Sequence, residues 1–367
     1  MWGGPAEGPP PGSAGVLPAS GLGLPGRRGA KARSVGYTDV MTHAEVSRER
    51  VVTPRRRVRR AALAALAAVC LATVMATLAT ASPARAAGVD DWVHIWEVVR
   101  LAKSQQASPV PPYGPFIYYL GDSIARESTI SDASWTSQLR KLAVKAGRAP
   151  GAVAYSVAGH NQTFGQDETI VSELPATPVG RPAGIVLIGV GISRFIGPPT
   201  PKDPASVGPV PEHPPYFSAW DHHLYDDRPL LPVERKHELV PRWMDRRWKG
   251  FQQNQRANFA AIERIIKACR AKGLRPVLID MPLDLEIVGN GLYQPRSAIH
   301  AGCNRLARKY DLTYLHLQPA LKLPNTAFWD IHHLVRSGYT RWQTRLSQKL
   351  VPLLPRASGA PSRHAAP

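Results

Sequence analysis

Cysteine is scarce in this 367-residue chain, which contains only Cys70, Cys269 and Cys303. None of the three stands in a spacing typical of a zinc site or of a catalytic cysteine. Cys70 lies in an apolar N-terminal run without a convincing lipobox, so we expect no lipidation there. In an oxidising compartment Cys269 and Cys303 permit one disulfide, and a pair of buried free thiols is the alternative.

Acidic residues are also few: 27 Asp and Glu stand against 46 Lys and Arg, and the formal net charge is +19. A charge of this sign suits nucleic acid or another acidic partner. Residues 1–86 alone hold 12 of the basic side chains against 4 acidic ones. The other basic residues are scattered, and no recognisable nucleic-acid module accompanies them. We therefore expect no nucleic-acid partner.

The first 54 residues show no sign of a folded domain. Residues 1–40 are rich in Gly, Pro, Ala and Ser and have no apolar period, which is typical of disorder. A start codon assigned too far upstream is the alternative, because Met41 would begin a conventional export signal.

Residues 55–86 have the three parts of such a signal. Basic residues at Arg55–Arg60 precede 21 uncharged, mostly apolar residues at 61–81, and Ala84-Arg85-Ala86 has the small-x-small pattern of a signal-peptidase site. We predict export, with cleavage after Ala86, to the cell envelope or the medium. An uncleaved membrane anchor is the alternative, since 21 residues can span a bilayer.

Apolar, strand-like runs alternate with helical patterns from residue 115 onward. This alternation predicts one doubly wound α/β domain over residues 115–352, with a mainly parallel five-stranded sheet. We see no internal repeat. The predicted strands are 116–120, 153–157, 184–191, 276–281 and 312–317, and the main predicted helices are 135–147, 165–173, 251–272, 297–309 and 336–350.

Three stretches fall outside this alternation. Residues 87–114 are predicted to be an approach segment with a short amphipathic helix and a Pro-rich linker, and residues 353–367 a disordered tail. Residues 198–242 form a long insertion rich in proline, aromatic residues and histidine, which we expect to cover or border a site. Adjacent histidines on an irregular loop rarely bind one ion, so we expect no metal and no cofactor.

The stretch Phe116–Glu127, with the sequence FIYYLGDSIARE, is the first candidate for chemistry. Five bulky apolar residues form a buried strand, and Gly121-Asp122-Ser123 interrupts it abruptly. A strand that ends this way places the Ser123 hydroxyl at the carboxyl edge of a sheet, where open α/β sheets bind ligands. A simple turn with a capping side chain is the alternative.

Asp330-Ile331-His332-His333, after the fifth predicted strand, is the second candidate. A serine is a weak nucleophile until a base takes its proton, and that base is usually an imidazole oriented by a carboxylate. The spacing of Asp330 and His333 lets the carboxylate face one ring nitrogen while the other points at a serine. Ser123 and His333 would meet at the carboxyl edge of the sheet.

These motifs resemble those of the SGNH or GDSL hydrolase superfamily, over about residues 115–350. Gly121-Asp122-Ser123 matches the first block of that family, and Asp330–Leu334 with Gly338-Tyr339 matches the last. The resemblance implies a flavodoxin-like α/β fold, with Ser123 as nucleophile, His333 as general base and Asp330 as its orienting carboxylate. It also implies an oxyanion hole that contains the Ser123 amide and Gly159, the residue that matches the glycine of the second block.

One block departs from the family pattern. The family usually has Gly-x-Asn-Asp after the third strand, and its Asn completes the oxyanion hole, whereas this chain has Gly191 at the Asn position. Losing one such donor costs about 2.7–4 kcal/mol of transition-state stabilisation. Asn161 is the first candidate for a substitute donor, with a loop-capping role as the alternative. Arg126 is the second, with an ion-pair role as the alternative.

The sequence therefore predicts an exported serine esterase that cleaves an acyl ester. Similar patterns without the block-three Asn occur in polysaccharide O-acetyltransferases and acetylesterases, so an O-acetyl group on a carbohydrate is the expected substrate. A polysaccharide O-acyltransferase is one alternative, and a cell-envelope binding module that has lost turnover is another. The expected partners are acylated small molecules or glycans, with a membrane only if the N-terminal segment is uncleaved.

Overall fold

The computed structural model describes residues 91–107, 115–203, 225–226 and 228–357. The predicted N-terminal extension and signal segment (1–86), residues 204–224 and 227 of the insertion after the third strand, and most of the C-terminal tail lie outside these residues. Among the residues described, no helix combines the length and the apolar character that a membrane span requires.

Five parallel strands form a single sheet in the order β2-β1-β3-β4-β5, which is the flavodoxin-like order of a doubly wound fold. This confirms the predicted fold class. Every residue of the first three strands is buried, as expected when helices cover both faces of a parallel sheet. The strands are β1 (Phe116–Gly121), β2 (Val153–Ala158), β3 (Ile185–Val190), β4 (Arg275–Asp280) and β5 (Thr313–Leu315).

Helices pack on both faces of this sheet, and the sheet separates the core into two clusters of buried apolar side chains. Side chains of α1, α4, α5 and α7 bury one face, and those of α3 and α9 bury the other. The helices are α1 (Asp91–Ala107), α2 (Ser123–Arg126), α3 (Asp132–Lys145), α4 (Phe164–Glu173), α5 (Val233–Ala271), α6 (Leu285–Val288), α7 (Tyr293–Lys309), α8 (Gln318–Leu321) and α9 (Arg336–Leu350). Short 3₁₀ turns occupy Ile192–Phe195, Asn325–Ala327 and Val351–Leu353.

The segment predicted to be a linker at residues 87–114 contains part of the core. Ile95, Val98 and Ala102 of α1 are almost fully buried against the sheet side chains. Side chains of α1 thus contribute to the same core as the sheet, and the domain boundary at residue 115 stays a prediction.

The insertion is also less irregular than predicted, because α5 begins at Val233 instead of residue 251 and runs for 39 residues. Its first half buries Val240 and Trp243 at helical spacing. Pro241 lies inside this half, where a proline removes one backbone hydrogen bond. The apolar contacts of the neighbouring residues keep this part of the chain helical despite that loss.

Cys269 of α5 and Cys303 of α7 are both buried free thiols. The structure thus contains the second alternative raised for this pair, and the disulfide is absent from it. Burial raises the pKa of each thiol to about 12, so both remain protonated and unreactive at neutral pH.

Candidate active site

The turn between β1 and α2 presents Ser123 at the carboxyl edge of the sheet. The Asp122 side chain caps α2 by accepting a hydrogen bond from the Ile124 amide at 3.0 Å. A side chain at Gly121 would collide with the Cβ of Ala125, so glycine is what allows α2 to turn back closely on β1. Ser193 donates to the other oxygen of Asp122 at 2.6 Å and fixes the turn from the β3 side.

The structure brings the three residues predicted to form a triad into one chain of hydrogen bonds. The distance from Ser123 Oγ to His333 Nε2 is 3.0 Å, and that from His333 Nδ1 to Asp330 Oδ2 is 2.9 Å. The other Asp330 oxygen accepts the backbone amides of His332 and His333 at 2.8 and 2.7 Å. A carboxylate only accepts, so His333 Nδ1 carries the proton and Nε2 is free to accept one from Ser123.

The electrostatics of this pair favour the roles of carboxylate and base. Burial alone would raise the pKa of Asp330, but the neighbouring His332 and His333 hold it well below its usual value. Burial alone would lower the pKa of His333, yet its hydrogen bond to Asp330 and the charge of that carboxylate raise it overall. Burial lowers the pKa of His332, which favours its neutral form.

The structure joins the triad residues by hydrogen bonds, but it does not join the predicted oxyanion donors into one such arrangement. The Ser123 amide begins α2 and so has no acceptor within that helix. The Gly159 amide donates to the carbonyl of Gly121 at 3.2 Å and extends the pairing of β1 with β2. Asn161 is exposed and has a φ of 54°, and no hydrogen bond joins its side chain to any residue of the described ranges. The oxyanion roles of Gly159 and Asn161 stay predictions.

Arg126, the second candidate for an accessory donor, forms an ion pair. Its Nη1 lies 3.0 Å from Asp91 Oδ1, and Asp91 Oδ2 accepts the His160 amide at 2.6 Å. Burial would raise the pKa of Asp91, but His160 and Arg126 lower it overall. Asp91 thereby ties α1 to the loop after Gly159. Sequence reasoning missed both contacts because Asp91 is 35 positions from Arg126 and 69 from His160.

The segment Gly189–Arg194 stands where the family pattern has its third block, and its contacts hold the end of β3 in place. A Cβ at Gly191 would lie 3.1 Å from the Met281 side chain, so an Asn there would require Met281 to shift. Arg194 is fully buried and donates to Asp167 at 2.7 Å, to the Gly189 carbonyl at 2.6 Å and to the Gln162 carbonyl at 3.2 Å. These contacts fix the end of β3 to the loop before α4.

Tyr225, within the insertion, packs directly on the candidate base. Its ring centroid lies 4.4 Å from that of His333 and 4.7 Å from that of Trp329, and Arg228 lies over both aromatic rings. The neighbouring Asp226 accepts a hydrogen bond from the Tyr339 hydroxyl at 2.6 Å. Tyr225, Asp226 and Arg228 thus place this part of the insertion beside the candidate active site.

Comparisons with known proteins give no match to a family model and no match among curated proteins. The chain is similar to the solved structure of a lipase/acylhydrolase from Enterococcus faecalis, with 11% identity and a TM-score of 0.36 over 66% of this chain and 98% of the other. It is similar to that of a GDSL-like lipase from Bacteroides thetaiotaomicron, with 13% identity and a TM-score of 0.36 over 70% of this chain and 98% of the other. It is also similar to an acetylxylan esterase from Geobacillus stearothermophilus, with 10% identity and a TM-score of 0.40 over 65% of this chain and 94% of the other. Because these TM-scores are below 0.5, we take the fold from the strand order of this chain and its chemistry from its own side chains.

Proposed function

We propose that this protein is a serine hydrolase that cleaves acyl esters. The observation that carries the proposal is the chain of hydrogen bonds from Ser123 through His333 to Asp330, with distances of 3.0 and 2.9 Å. A buried carboxylate that orients one nitrogen of an imidazole, while the other faces a serine hydroxyl, is the arrangement that activates a nucleophile.

The chemistry proceeds in two steps. His333 Nε2 takes the proton of Ser123 as Oγ attacks the ester carbonyl, and then gives that proton to the departing alcohol, which leaves an acyl-serine. A water molecule then attacks the acyl carbon while His333 takes its proton and returns it to Ser123 Oγ. The Ser123 amide would stabilise the oxyanion. Gly159 and Asn161 are the other candidate donors, and the Gly159 amide would have to release the Gly121 carbonyl to serve as one.

We propose an O-acetylated carbohydrate as the substrate class. The support is the combination of Gly-Asp-Ser, a late Asp-x-x-His and Gly191 in place of the block-three Asn, which is similar to the pattern of polysaccharide-modifying acetylesterases. A glycan hydroxyl that replaced water in the second step would make the protein an O-acyltransferase. Acetate release from an acetylated glycan, compared with acetyl transfer to an added acceptor glycan, separates the two activities.

Steady-state hydrolysis of p-nitrophenyl acetate by the full-length chain tests the proposal. Ser123→Ala should lower kcat by about 10⁴-fold or more, since the nucleophile and its base act as a unit. Ser172→Ala, at an exposed position of α4, is the matched control and should keep the wild-type rate. Equal rates in Ser123→Ala and the wild type would refute the assignment, and a wild type without activity on any ester would favour the binding module.

A further inference from the structure

A cavity opens at the carboxyl edge of the sheet beside the candidate active site. Ile124, which follows Ser123, and His332, which precedes His333, both line it. Asp280, His300 and His316 line the same cavity. They come from the end of β4, the middle of α7 and the residue that follows β5, so the parallel sheet is what brings them together.

These three side chains form a compact set of metal-binding groups. One potential ligand atom of each lies within 4.8 Å of those of the other two. His316 Nδ1 is 2.5 Å from Asp280 Oδ2, and the rings of His300 and His316 lie 4.1 Å apart. The Leu317 amide donates to Asp280 Oδ1 at 2.9 Å and holds the carboxylate in place.

The three side chains differ in their exposure to solvent, from the buried Asp280 to the exposed His316. Asp280 is buried, His300 is partly buried and His316 is exposed. The set therefore has a path by which an ion can enter, combined with a fixed carboxylate at its inner end. Arg296 lines the same cavity and carries a charge that opposes a cation, but its Nη1 is bonded to the Gly289 carbonyl at 3.2 Å.

We propose that Asp280, His300 and His316 bind a divalent transition-metal ion, with zinc as the best fit. Two imidazoles and one carboxylate are a typical zinc donor set, and three protein ligands leave a position for water or for a ligand oxygen from the cavity. Zinc bonds of about 2.0–2.2 Å can be reached by side-chain rotations, in which the ion takes the place of the hydrogen between Asp280 Oδ2 and His316 Nδ1 and the imidazole carries its proton on Nε2.

Sequence reasoning considered histidines for a metal site only where they are adjacent in the chain. His300 follows Asp280 by 20 positions and His316 follows His300 by 16, and no short motif connects the three residues. The expectation that the chain binds no metal was therefore based on other histidines and not on these three residues.

Calorimetric titration of the metal-free, full-length chain with Zn²⁺ tests the proposal. We expect one zinc ion per chain. His300→Gln and His316→Gln should each weaken binding by at least about tenfold, a loss that even indirect ligand contacts produce. His237→Gln, an exposed histidine of α5, is the matched control and should bind zinc like the wild type.

Titration with Co²⁺ identifies the ligand atoms independently. The visible spectrum should show a low-symmetry cobalt site without the intense thiolate band that Cys269 or Cys303 would produce. Asp280→Asn keeps the shape of the side chain and should also weaken binding, with unfolding temperatures of the metal-free variants close to that of the wild type. A wild type that binds no zinc, or a His300→Gln/His316→Gln double variant that binds it equally well, would overturn the proposal. Metal binding is measured directly, so the result does not depend on esterase activity.

Discussion

Asp330 and His333 show how single residues set the chemistry of the proposed site. Asp330 stays ionised although it is buried, because two histidines lie beside it and two backbone amides donate to it, which holds its pKa low. The pKa of His333 is raised because its ring donates a hydrogen bond to Asp330 and lies beside the negative charge of that carboxylate. The base therefore depends on one carboxylate both for its orientation and for its pKa.

Asp330→Asn should change the pH profile of ester hydrolysis in a defined direction. The active form needs a neutral His333, so kcat/KM of the wild type should rise with pH through the raised pKa of His333 and then level off. In Asp330→Asn the largest influences that raise the pKa of His333 against burial are removed, so this pKa falls and the rising limb moves to lower pH. The plateau should fall by about 10⁴-fold.

The control for this measurement is Asp245→Asn, which makes the same change at an exposed position of α5. It should reproduce the wild-type profile. A rising limb that stays in place or moves to higher pH in Asp330→Asn would show that Asp330 does not set the pKa of the base.

At the scale of elements, α5 fixes the loop that carries Asp330 and His333. Lys236, in the first turns of α5, is buried, and its ammonium group donates to the Asn325 side-chain oxygen at 2.5 Å, to the Asn325 carbonyl at 3.0 Å and to the Phe328 carbonyl at 2.7 Å. Further along the loop, the Trp329 amide donates to the His333 carbonyl at 2.8 Å. The start of α5 thus determines where the loop before Asp330 lies.

Lys236→Met should destabilise the protein and misplace the base. Three oxygen atoms lose their donor, and one buried unsatisfied polar group costs about 1–3 kcal/mol of unfolding free energy. We expect a loss in that range or above it in urea denaturation, together with a lower kcat and a KM close to that of the wild type. Lys249→Met, at an exposed position of the same helix, should change neither quantity. An unchanged kcat in Lys236→Met would show that Lys236 has no positioning role.

The sheet as a whole explains which features could be predicted from the sequence. Strands ending at Gly121 and Val190 and the loop before α9 share one edge, so two short motifs sufficed to predict that Ser123 and His333 would meet. Contacts between residues far apart in sequence, such as the Asp91–Arg126 ion pair or the hydrogen bond from Lys236 to the Phe328 carbonyl, leave no local pattern. The first half of α5 was missed because its proline and histidine content outweighed its helical apolar spacing.

Export is a property of the whole chain, and it is tested on the chain isolated from a bacterial host. Residues 55–86 predict that the protein leaves the cytoplasm and that its mature form begins at Ala87. N-terminal sequencing of the protein from the envelope and medium fractions checks this, and Ala86→Leu should block cleavage. An uncleaved, membrane-retained chain would support the anchor alternative, and a full-length chain confined to the cytoplasm would contradict export.

The central claim, that Ser123 is a nucleophile activated by His333, is tested most directly by covalent labelling. A fluorophosphonate probe should modify the full-length wild type, and peptide mass spectrometry should locate the adduct on Ser123. His333→Ala should label far more slowly, Ser123→Ala should not label, and the exposed-site control Ser172→Ala should label like the wild type. An adduct on another residue, or labelling that persists in Ser123→Ala, would contradict the account.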